Sequence, residues 1–300
     1  MKRGIMSFGV TVGMMLSSLL MQAAEPAGGN AAKPVMLKSV YGEMSLPSGW
    51  REGIFPLRTA KRIELKLPSG QAAYLILPTK APPQGARPWV LYAPHTMGNT
   101  WIWERLLDAG FAVAAAPGVA EWLGKSEARQ VVTELYDVAT KEFGLDKQVC
   151  LMPQSRGGLL CYNWAADNPE KVRCIGGIYP VGDITIFSWG NSLAGTSKTY
   201  GLSEVEMKAQ FPQHNPIERL KPIAEKKIPI FHITGDKDGA VPAERNTLEV
   251  QRRYRALGGE MEVEIVPGKG HEECPEIFHS QRMVDFFIKH GVQIKEQDTK

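Results

Sequence analysis

Short runs of consecutive apolar residues recur along the chain, and stretches with helical spacing separate them. The apolar runs lie at residues 89–93, 111–115, 149–152, 172–179 and 228–234, and a sixth predicted strand with alternating apolar residues follows at 261–266. The helical stretches lie at 101–110, 126–143, 159–168, 242–257 and 276–289. Apolar runs of this length that alternate with helices are typical of buried parallel strands in βαβ units. The pattern predicts an α/β fold, with a mostly parallel central sheet flanked by helices.

Two segments depart from this alternation. Residues 62–67 alternate polar and apolar, a Pro-Ser-Gly turn follows at 68–70, and an apolar run continues at 73–77, which predicts an N-terminal antiparallel hairpin. The interval 181–223 is too long for an ordinary connection and contains Trp189 and several glycines. We expect this interval to be a small lid-like insertion within one domain that spans residues 37–300. The alternative is a packed excursion with no contact to substrate.

The first 24 residues have the pattern of a secretory signal peptide. Lys2 and Arg3 precede an apolar run that ends near Met21, and small residues follow it at Ala23 and Ala24. This predicts export to a periplasmic or secreted location, with no stable membrane anchor. A transmembrane anchor is the alternative, but the run is at the short end of the roughly 20 residues that cross a bilayer. Residues 25–36, rich in Ala, Gly and Pro, are predicted to be a flexible leader.

Composition excludes several classes of protein. With 35 basic against 32 acidic residues, the formal charge is +3, which provides no electrostatic footprint for nucleic acid. The four cysteines have no zinc-binding spacing, and no metal is implied. Cys150 and Cys174 both fall near the starts of predicted strands, where buried free thiols are as natural as disulfides. Whether these two, Cys161 and Cys274 form disulfides stays open.

A serine stands between the third core strand and its helix, in the segment Pro-Gln-Ser-Arg-Gly-Gly at residues 153–158. A serine on a tight strand-to-helix turn projects its hydroxyl above the carboxyl edge of the sheet, and small residues flank it where backbone segments approach closely. The positive end of the helix dipole points at the same place. Ser155 is therefore a candidate nucleophile, and the alternative is a helix N-cap.

An acid and a histidine follow in later loops at the same edge. Asp238 lies in Gly-Asp-Lys-Asp-Gly-Ala-Val-Pro at 235–242 after the fifth strand, and His271 ends Gly-Lys-Gly-His at 268–271 after the sixth. The carboxyl ends of parallel strands converge on one edge, so Ser155, Asp238 and His271 are expected to meet there.

This arrangement resembles the α/β-hydrolase superfamily, whose nucleophile, acid and histidine occur in that chain order. The resemblance covers about residues 60–290. The Ser-Arg-Gly-Gly and Gly-x-x-Asp-x-x-Val-Pro patterns look closest to the dienelactone hydrolase, acetylxylan esterase and prolyl-oligopeptidase-like branch. It implies a catalytic triad of Ser155, Asp238 and His271. The chain departs from the branch at Pro153, where glycine is usual, and dienelactone hydrolases carry cysteine at the position of Ser155.

The resemblance separates Asp238 from its neighbour Asp236, because the family pattern places the acid just before Val241-Pro242; Asp236 is then a turn former. It also implies an oxyanion hole made by the backbone N–H of Arg156 and one from Thr96 or Met97, in the loop after the first core strand. His95 in that loop is either a loop-stabilising residue or part of the substrate site. The Arg156 side chain either assists the oxyanion, as in glucuronoyl esterases, or forms a structural ion pair.

Trp101, Trp189 and His95 are the expected substrate-binding residues, with Trp101 alternatively packing the helix that it begins. The prediction is an exported serine esterase that acts on a carbohydrate ester or another small ester through an acyl-enzyme, without metal or organic cofactor. A prolyl-oligopeptidase-like peptidase or amidase is the alternative, disfavoured because no propeller-length segment precedes the catalytic region. A binding protein on a hydrolase scaffold is a third hypothesis, which the Ser, Asp, His order opposes.

Overall fold

The computed structural model of the protein describes residues 35–53, 60–82, 85–93, 99–188 and 190–292. The strands are β1 (Val35–Ser39), β2 (Gly42–Leu46), β3 (Arg51–Gly53), β4 (Lys61–Lys66), β5 (Ala72–Leu77), β6 (Trp89–Ala93), β7 (Ala112–Ala115), β8 (Val149–Pro153), β9 (Val172–Ile178), β10 (Ile186–Phe187), β11 (Gly190–Asn191), β12 (Ile230–Gly235) and β13 (Met261–Val266). The α-helices are α1 (Trp101–Asp108), α2 (Ser126–Lys141), α3 (Gly157–Asp167), α4 (Leu193–Tyr200), α5 (Glu204–Ala209), α6 (Phe211–His214), α7 (Lys221–Glu225), α8 (Thr247–Ala256), α9 (Pro275–Phe278) and α10 (Gln281–Gly291).

Within the described residues, nine strands form one sheet in the order β13-β12-β9-β8-β6-β7-β5-β4-β3. The six strands from β13 to β7 pair in parallel, and β5, β4 and β3 continue the sheet antiparallel. The predicted α/β fold and its N-terminal antiparallel hairpin are thus confirmed. In that hairpin, β4 and β5 pair with Lys61 opposite Leu77.

The central strands are buried because helices cover both faces of the sheet. β6 and β8 are buried at all five of their positions, which explains their continuous apolar sequences. Successive strand residues point to opposite faces, so Leu91 packs into one core cluster and Tyr92 into another. The first cluster includes Trp164 of α3, and the second includes Trp103 of α1.

Two predicted helices differ from those observed. The helix expected over 242–257 begins only at Thr247, after a short 3₁₀ turn at residues 243–245. The helix expected over 276–289 is divided into α9 and α10, because Ser280 breaks it and caps the second part: the Ser280 hydroxyl accepts the Met283 N–H at 3.2 Å. The hairpin of β1 and β2 was not predicted, and β1 begins at Val35, inside the expected leader of residues 25–36.

The interval 181–223 folds into β10, β11 and α4 to α6, and then continues through a 3₁₀ turn to the start of α7. It has an apolar cluster of its own, in which Phe187, Leu193 and Met207 pack with Leu123 and Leu159. Leu159 belongs to the helix that follows Ser155, so the insertion rests directly beside the candidate nucleophile.

All four cysteines are buried free thiols, and the question of their pairing is thereby answered. None of the described helices is both long enough and apolar enough to cross a bilayer.

His232 lies in the interior of β12 and is completely buried. Its Nε2 is 2.7 Å from the Tyr162 hydroxyl and its Nδ1 is 3.3 Å from the Thr247 hydroxyl. Burial lowers the pKa of His232 from 6.5 to about 3, since the imidazolium would lose its hydration there. The folded protein therefore holds this side chain neutral well below the pH at which the unfolded chain protonates it.

We expect this difference to make the protein less stable in mild acid. The folded pKa lies below the unfolded value, so stability is fully present above pH 6.5 and falls towards pH 3 by about 1.4 kcal/mol per pH unit. Urea unfolding of the wild type and His232→Gln at pH 7.5 and pH 5 measures this. The wild type should lose about 2 kcal/mol more than the variant between these pH values; equal losses would contradict a buried neutral His232.

Candidate active site

Ser155 occupies a tight turn between β8 and α3. Its φ is +50°, a left-handed conformation that non-glycine residues adopt at a cost, often at functional sites. Backbone hydrogen bonds hold it there: the Ser155 N–H donates to the Ile178 carbonyl at 3.1 Å, and the Ser155 carbonyl accepts from the N–H groups of Gly158 at 2.9 Å and Val181 at 2.8 Å. The sheet and the insertion therefore fix the turn from two sides.

The glycine at 158 is required by a close approach of backbone. A Cβ at this position would lie 2.2 Å from the Val181 carbonyl oxygen and 2.6 Å from the Val181 nitrogen, and neither atom belongs to a flexible side chain. Pro153, in the place where the resembled branch usually has glycine, is the last residue of β8 and lies opposite Ala93 of β6. The strained turn at Ser155 thus forms although a proline, and not a glycine, lies two residues before the serine in the sequence.

The structure brings Ser155, His271 and Asp238 into one hydrogen-bonded chain. The Ser155 Oγ is 2.9 Å from His271 Nε2, and His271 Nδ1 is 2.8 Å from Asp238 Oδ2. Ionised Asp238 only accepts hydrogen bonds, so Nδ1 carries the imidazole proton and Nε2 is left to accept from the serine hydroxyl. The arrangement is that of a nucleophile, a base and a residue that orients the base.

Asp238 is held rigidly. Its side chain is fully buried, and its Oδ1 accepts the N–H groups of Ala240 at 3.0 Å and Val241 at 2.7 Å. Asp236 has a different role, because its Oδ1 accepts the Gly268 N–H at 2.6 Å and so closes the loop that leads to His271. Of the two acids that the sequence offered, the structure places Asp238 against the imidazole.

The helix-cap alternative for Ser155 does not fit the geometry. α3 begins at Gly157, its N-cap residue is Arg156, and no side chain caps it. The Ser155 hydroxyl is directed to His271 instead.

Arg156 offers a backbone donor beside the nucleophile. Its N–H has no acceptor among the residues that the structure describes. It lies at the start of α3, where the helix dipole is positive, and could donate to a developing oxyanion. The other predicted contributors, Thr96 and Met97, lie outside the described residues, as does His95. The Arg156 guanidinium forms an ion pair with Glu121, so the structure gives its side chain a partner within the protein.

A cavity of about 430 Å³ adjoins Arg156. Its lining is Glu121, Leu123, Arg156, Phe187, Ser188, Ser192, Gly195, Thr196 and Thr199. Most of these residues belong to the interval 181–223, so the insertion forms much of the wall of the cavity. Three of the four hydroxyls on this wall come from Ser192, Thr196 and Thr199, at the start and along the length of α4.

Trp101, one of the predicted substrate-binding residues, does not line this cavity. Trp101 begins α1, the Arg105 guanidinium lies 3.3 Å from its ring centroid, and the His279 imidazole stacks on it at 5.1 Å. Trp189 lies outside the described residues.

Two residues beside the hydrogen-bonded chain were missed at the level of sequence. The Tyr179 ring packs on the His271 imidazole, with centroids 4.2 Å apart, and Gln154 donates to the Tyr179 hydroxyl at 3.2 Å. Gln154 directly precedes Ser155, and Tyr179 follows β9 at the carboxyl edge of the sheet. Polar residues at the carboxyl ends of core strands were the signal that could have found them.

Among the described residues, no group of three or more His, Cys, Asp or Glu side chains is placed to hold a metal ion. The chemistry that the described groups offer is proton transfer and nucleophilic attack.

The comparisons with known proteins concern the family and the fold of the chain. The family model of the prolyl oligopeptidase family matches residues 118–292, more than half of the chain. No curated protein matches the sequence.

Solved structures with the same fold include two peptidases and an S-formylglutathione hydrolase. Pyrococcus horikoshii acylaminoacyl peptidase is 15% identical with a TM-score of 0.63, over 81% of this chain and 44% of that one. Porphyromonas gingivalis dipeptidyl peptidase 4 is 14% identical with a TM-score of 0.62, over 77% and 35%. An S-formylglutathione hydrolase from Agrobacterium tumefaciens is 14% identical with a TM-score of 0.60, over 80% and 97%.

The chain spans less than half the length of the two peptidases, so these likenesses establish the fold of the part they share. The family match covers α3, β9, β12 and β13, the elements that carry Ser155, Asp238 and His271 into contact. The chain therefore belongs to the prolyl oligopeptidase family, a family of serine hydrolases with the α/β-hydrolase fold.

Proposed function

We propose that the protein hydrolyses carboxylic esters by acyl transfer through Ser155. The observation that carries the proposal is the continuous chain from the Ser155 hydroxyl through His271 to buried Asp238, built on a strained turn next to the backbone N–H of Arg156. A serine at a helix cap needs none of these features.

The proposed reaction has two halves. His271 Nε2 takes the hydroxyl proton as Ser155 Oγ bonds to the acyl carbon, and the electron pair of the carbonyl moves onto its oxygen. The Arg156 N–H stabilises that oxyanion. When the carbonyl re-forms, the bond to the alcohol breaks, and His271 returns the proton to the leaving oxygen. Water then attacks the acyl carbon while His271 takes a proton from the water. His271 passes that proton to Ser155 Oγ as the acyl bond breaks, which releases the acid and restores Ser155. Asp238 orients the imidazole and stabilises its cation throughout.

A small ester, such as an ester of a carbohydrate, suits the cavity beside Arg156. The volume of about 430 Å³ accommodates a group the size of one sugar ring or a short acyl chain. Hydroxyls of Ser188, Ser192, Thr196 and Thr199 line it beside the aromatic ring of Phe187. Ser192 and Thr196 are buried and donate to backbone carbonyls, so the hydroxyls that remain for a polyol are those of exposed Ser188 and of half-buried Thr199. The Thr199 hydroxyl donates to the Gly195 carbonyl and therefore serves a polyol as a hydrogen-bond acceptor.

A peptidase or amidase activity is the second candidate. The family model is named for prolyl oligopeptidase, and both peptidases above share the fold. The same serine chemistry cleaves amides, provided that the leaving amine is protonated and that the site binds the peptide on both sides of the bond.

Matched substrates separate the two activities, and a covalent label separates both from a binding protein. The purified chain is assayed on p-nitrophenyl acetate, an acetylated sugar, and prolyl and acyl-alanyl p-nitroanilides, and is labelled with a fluorophosphonate. The ester proposal expects Ser155 to be labelled and kcat/KM on esters to exceed that on anilides by orders of magnitude. A preference for an anilide would support the peptidase alternative, and no labelling would support the binding protein.

We also propose that the protein is exported, on the pattern of residues 1–24, which lie outside the described residues. The four buried thiols fit this location, since burial protects them from oxidants. N-terminal sequencing of the protein recovered from its host should find a start near residue 25, whereas an intact Met1 on membrane-bound protein would contradict export.

A further inference from the structure

A buried polar chain runs from the imidazole of His271 into the sheet. The Tyr179 ring packs on the imidazole with an interplanar angle of 46°. The Gln154 Nε2 donates to the Tyr179 hydroxyl at 3.2 Å, and the Gln154 Oε1 accepts from the Tyr92 hydroxyl. Tyr179, Gln154 and Tyr92 are 2%, 6% and 3% exposed, so water does not substitute for these bonds. The roles of Ser155, Asp238 and His271 in acyl transfer give no reason for these contacts of Tyr179, Gln154 and Tyr92.

We propose that Tyr179, held by Gln154 and Tyr92, is a positioning residue for His271 during acyl transfer. The proposal rests on the proposed function of Ser155 and His271, and it concerns the imidazole rather than the nature of the substrate.

The two hydrogen bonds of His271 leave one motion unrestrained. The bond to Asp238 at Nδ1 and the bond to Ser155 at Nε2 hold the ring at its two nitrogens, so a rocking of the ring about the line through these nitrogens tilts both bonds off line without breaking them. A ring packed closely against the imidazole opposes that rocking, and the Tyr179 ring is tilted against it with centroids 4.2 Å apart. A base whose lone pair is tilted off the line to the serine hydroxyl accepts the hydroxyl proton poorly, because proton transfer depends on alignment.

The same ring stabilises the charge that develops on His271. The imidazole becomes a cation when it takes the serine proton, and an aromatic face within about 6 Å of a cation attracts it. This attraction is greater in the transition state, where the imidazole has taken the serine proton, than in the resting enzyme, where it only accepts a hydrogen bond from the serine hydroxyl. It therefore raises kcat rather than substrate affinity.

The position of the Tyr179 ring is set by the nucleophile turn itself. Gln154 is the residue before Ser155, and its amide spans the gap to the phenol. Tyr92, on the neighbouring strand β6, fixes the orientation of that amide by donating to its oxygen. Phe278 of α9 also packs on the phenol ring, with centroids 5.9 Å apart. A movement of the serine turn would therefore be passed to the imidazole, and the two reacting groups keep their relative position.

Tyr179 is also held by its backbone. Its φ is +34°, a conformation that a non-glycine residue avoids unless its surroundings impose it, and its N–H donates to the Ile233 carbonyl of β12 at 2.7 Å. β12 leads into the loop of Asp238. The tyrosine is thus tied to the strands that carry the serine and the acid.

Two substitutions test the proposal by steady-state kinetics on an activated ester. Tyr179→Phe keeps the ring and removes the bond to Gln154, and kcat should fall about 5-fold. Tyr179→Leu removes the ring, and kcat should fall between about 10- and 100-fold. In both variants KM should stay within about 2-fold, because no contact with substrate is removed. Tyr254→Phe is the matched control: it loses a buried phenol of α8 that donates to the Ile228 carbonyl, and its kcat should not change.

A double-mutant cycle tests whether the chain acts as one unit. Tyr92→Phe should lower kcat by a few-fold through Gln154, and Tyr92→Phe combined with Tyr179→Phe should be no slower than Tyr179→Phe alone. Fully additive losses would contradict the mechanism, as would a loss of thermal stability in Tyr179→Phe with unchanged kcat.

A spectroscopic measurement is independent of turnover and of the substrate. The ring current of Tyr179 should shift the carbon-bound imidazole protons of His271 in the NMR spectrum, and this shift should be lost in Tyr179→Leu and retained in Tyr254→Phe. If Ser155→Ala is fully active, the proposed function fails while this NMR result can still stand. If Ser155→Ala is inactive but Tyr179→Leu keeps the wild-type kcat, the positioning proposal alone fails.

Discussion

Ser155→Ala is expected to lower kcat for ester hydrolysis by about 10⁴-fold or more, with the protein folded as before. The hydroxyl is the group of the turn that bonds to the acyl carbon, and its side-chain partner in the structure is His271 Nε2. The backbone at this position already has a positive φ, which alanine tolerates about as well as serine, so the turn should persist. Stopped assays over hours measure the residual rate, and circular dichroism checks the fold.

His271→Ala should be equally damaging, and the double variant with Ser155→Ala should be scarcely slower than either single variant. A nucleophile without its base and a base without its nucleophile fail at the same step, so their losses do not add. Full esterase activity in Ser155→Ala would contradict both the assignment of Ser155 as the nucleophile and the acyl-enzyme mechanism. Losses that multiply in the double variant would show that the two residues serve separate steps.

Asp238→Asn is expected to lower kcat by about 10³- to 10⁴-fold. One oxygen of Asp238 accepts from His271 Nδ1, and the other accepts the N–H groups of Ala240 and Val241. An amide cannot replace both oxygens. If the asparagine NH₂ faces His271, the imidazole must carry its proton on Nε2, and that nitrogen cannot take the serine proton. If the NH₂ instead faces Ala240 and Val241, it meets two buried N–H donors and forms no hydrogen bond with them.

Asp236→Asn is the matched control, two residues away in the same loop. The side-chain amide oxygen of the asparagine can still accept the Gly268 N–H, so the loop before His271 should keep its shape. The kcat should therefore stay within about 3-fold of wild type. Crippled activity in Asp236→Asn with normal activity in Asp238→Asn would reverse the assignment of the acid while leaving the fold intact. Steady-state kinetics on one activated ester is sufficient for both variants.

The parts of this site that sequence could predict are those that depend on local pattern. Continuous apolar runs identified the buried parallel strands, and parallel strands bring the loops at their carboxyl ends together whatever the details of packing. That geometry alone was enough to expect Ser155, His271 and the acidic loop at residues 235–242 at one edge of the sheet. The choice of Asp238 over Asp236 came from the family resemblance, and the structure places the same residue against the imidazole.

The contacts that sequence did not predict depend on distances set by the whole fold. Nothing in the spacing of Tyr179 and His271, 92 residues apart, indicates that their rings meet. A structural ion pair was one of the two expectations for the Arg156 side chain, but nothing in the sequence indicated that Glu121 is its partner. The division of the last helix at Ser280 is a case of a local signal, a serine cap, that the strong apolar periodicity of residues 276–289 concealed.

The position of β13 at the end of the sheet affects how the enzyme would lose activity. Within the described part of the chain β13 pairs only with β12, and the loop that follows it delivers His271. Edge strands open at a lower free energy than the centre of a sheet, in fluctuations that leave the remaining structure folded. The Lys237 N–H bond to the Lys269 carbonyl at 2.8 Å and the Lys269–Glu276 ion pair oppose such opening. Mild denaturant should therefore abolish turnover by releasing this last strand, at concentrations where β6 and β8 still protect their amides from hydrogen exchange.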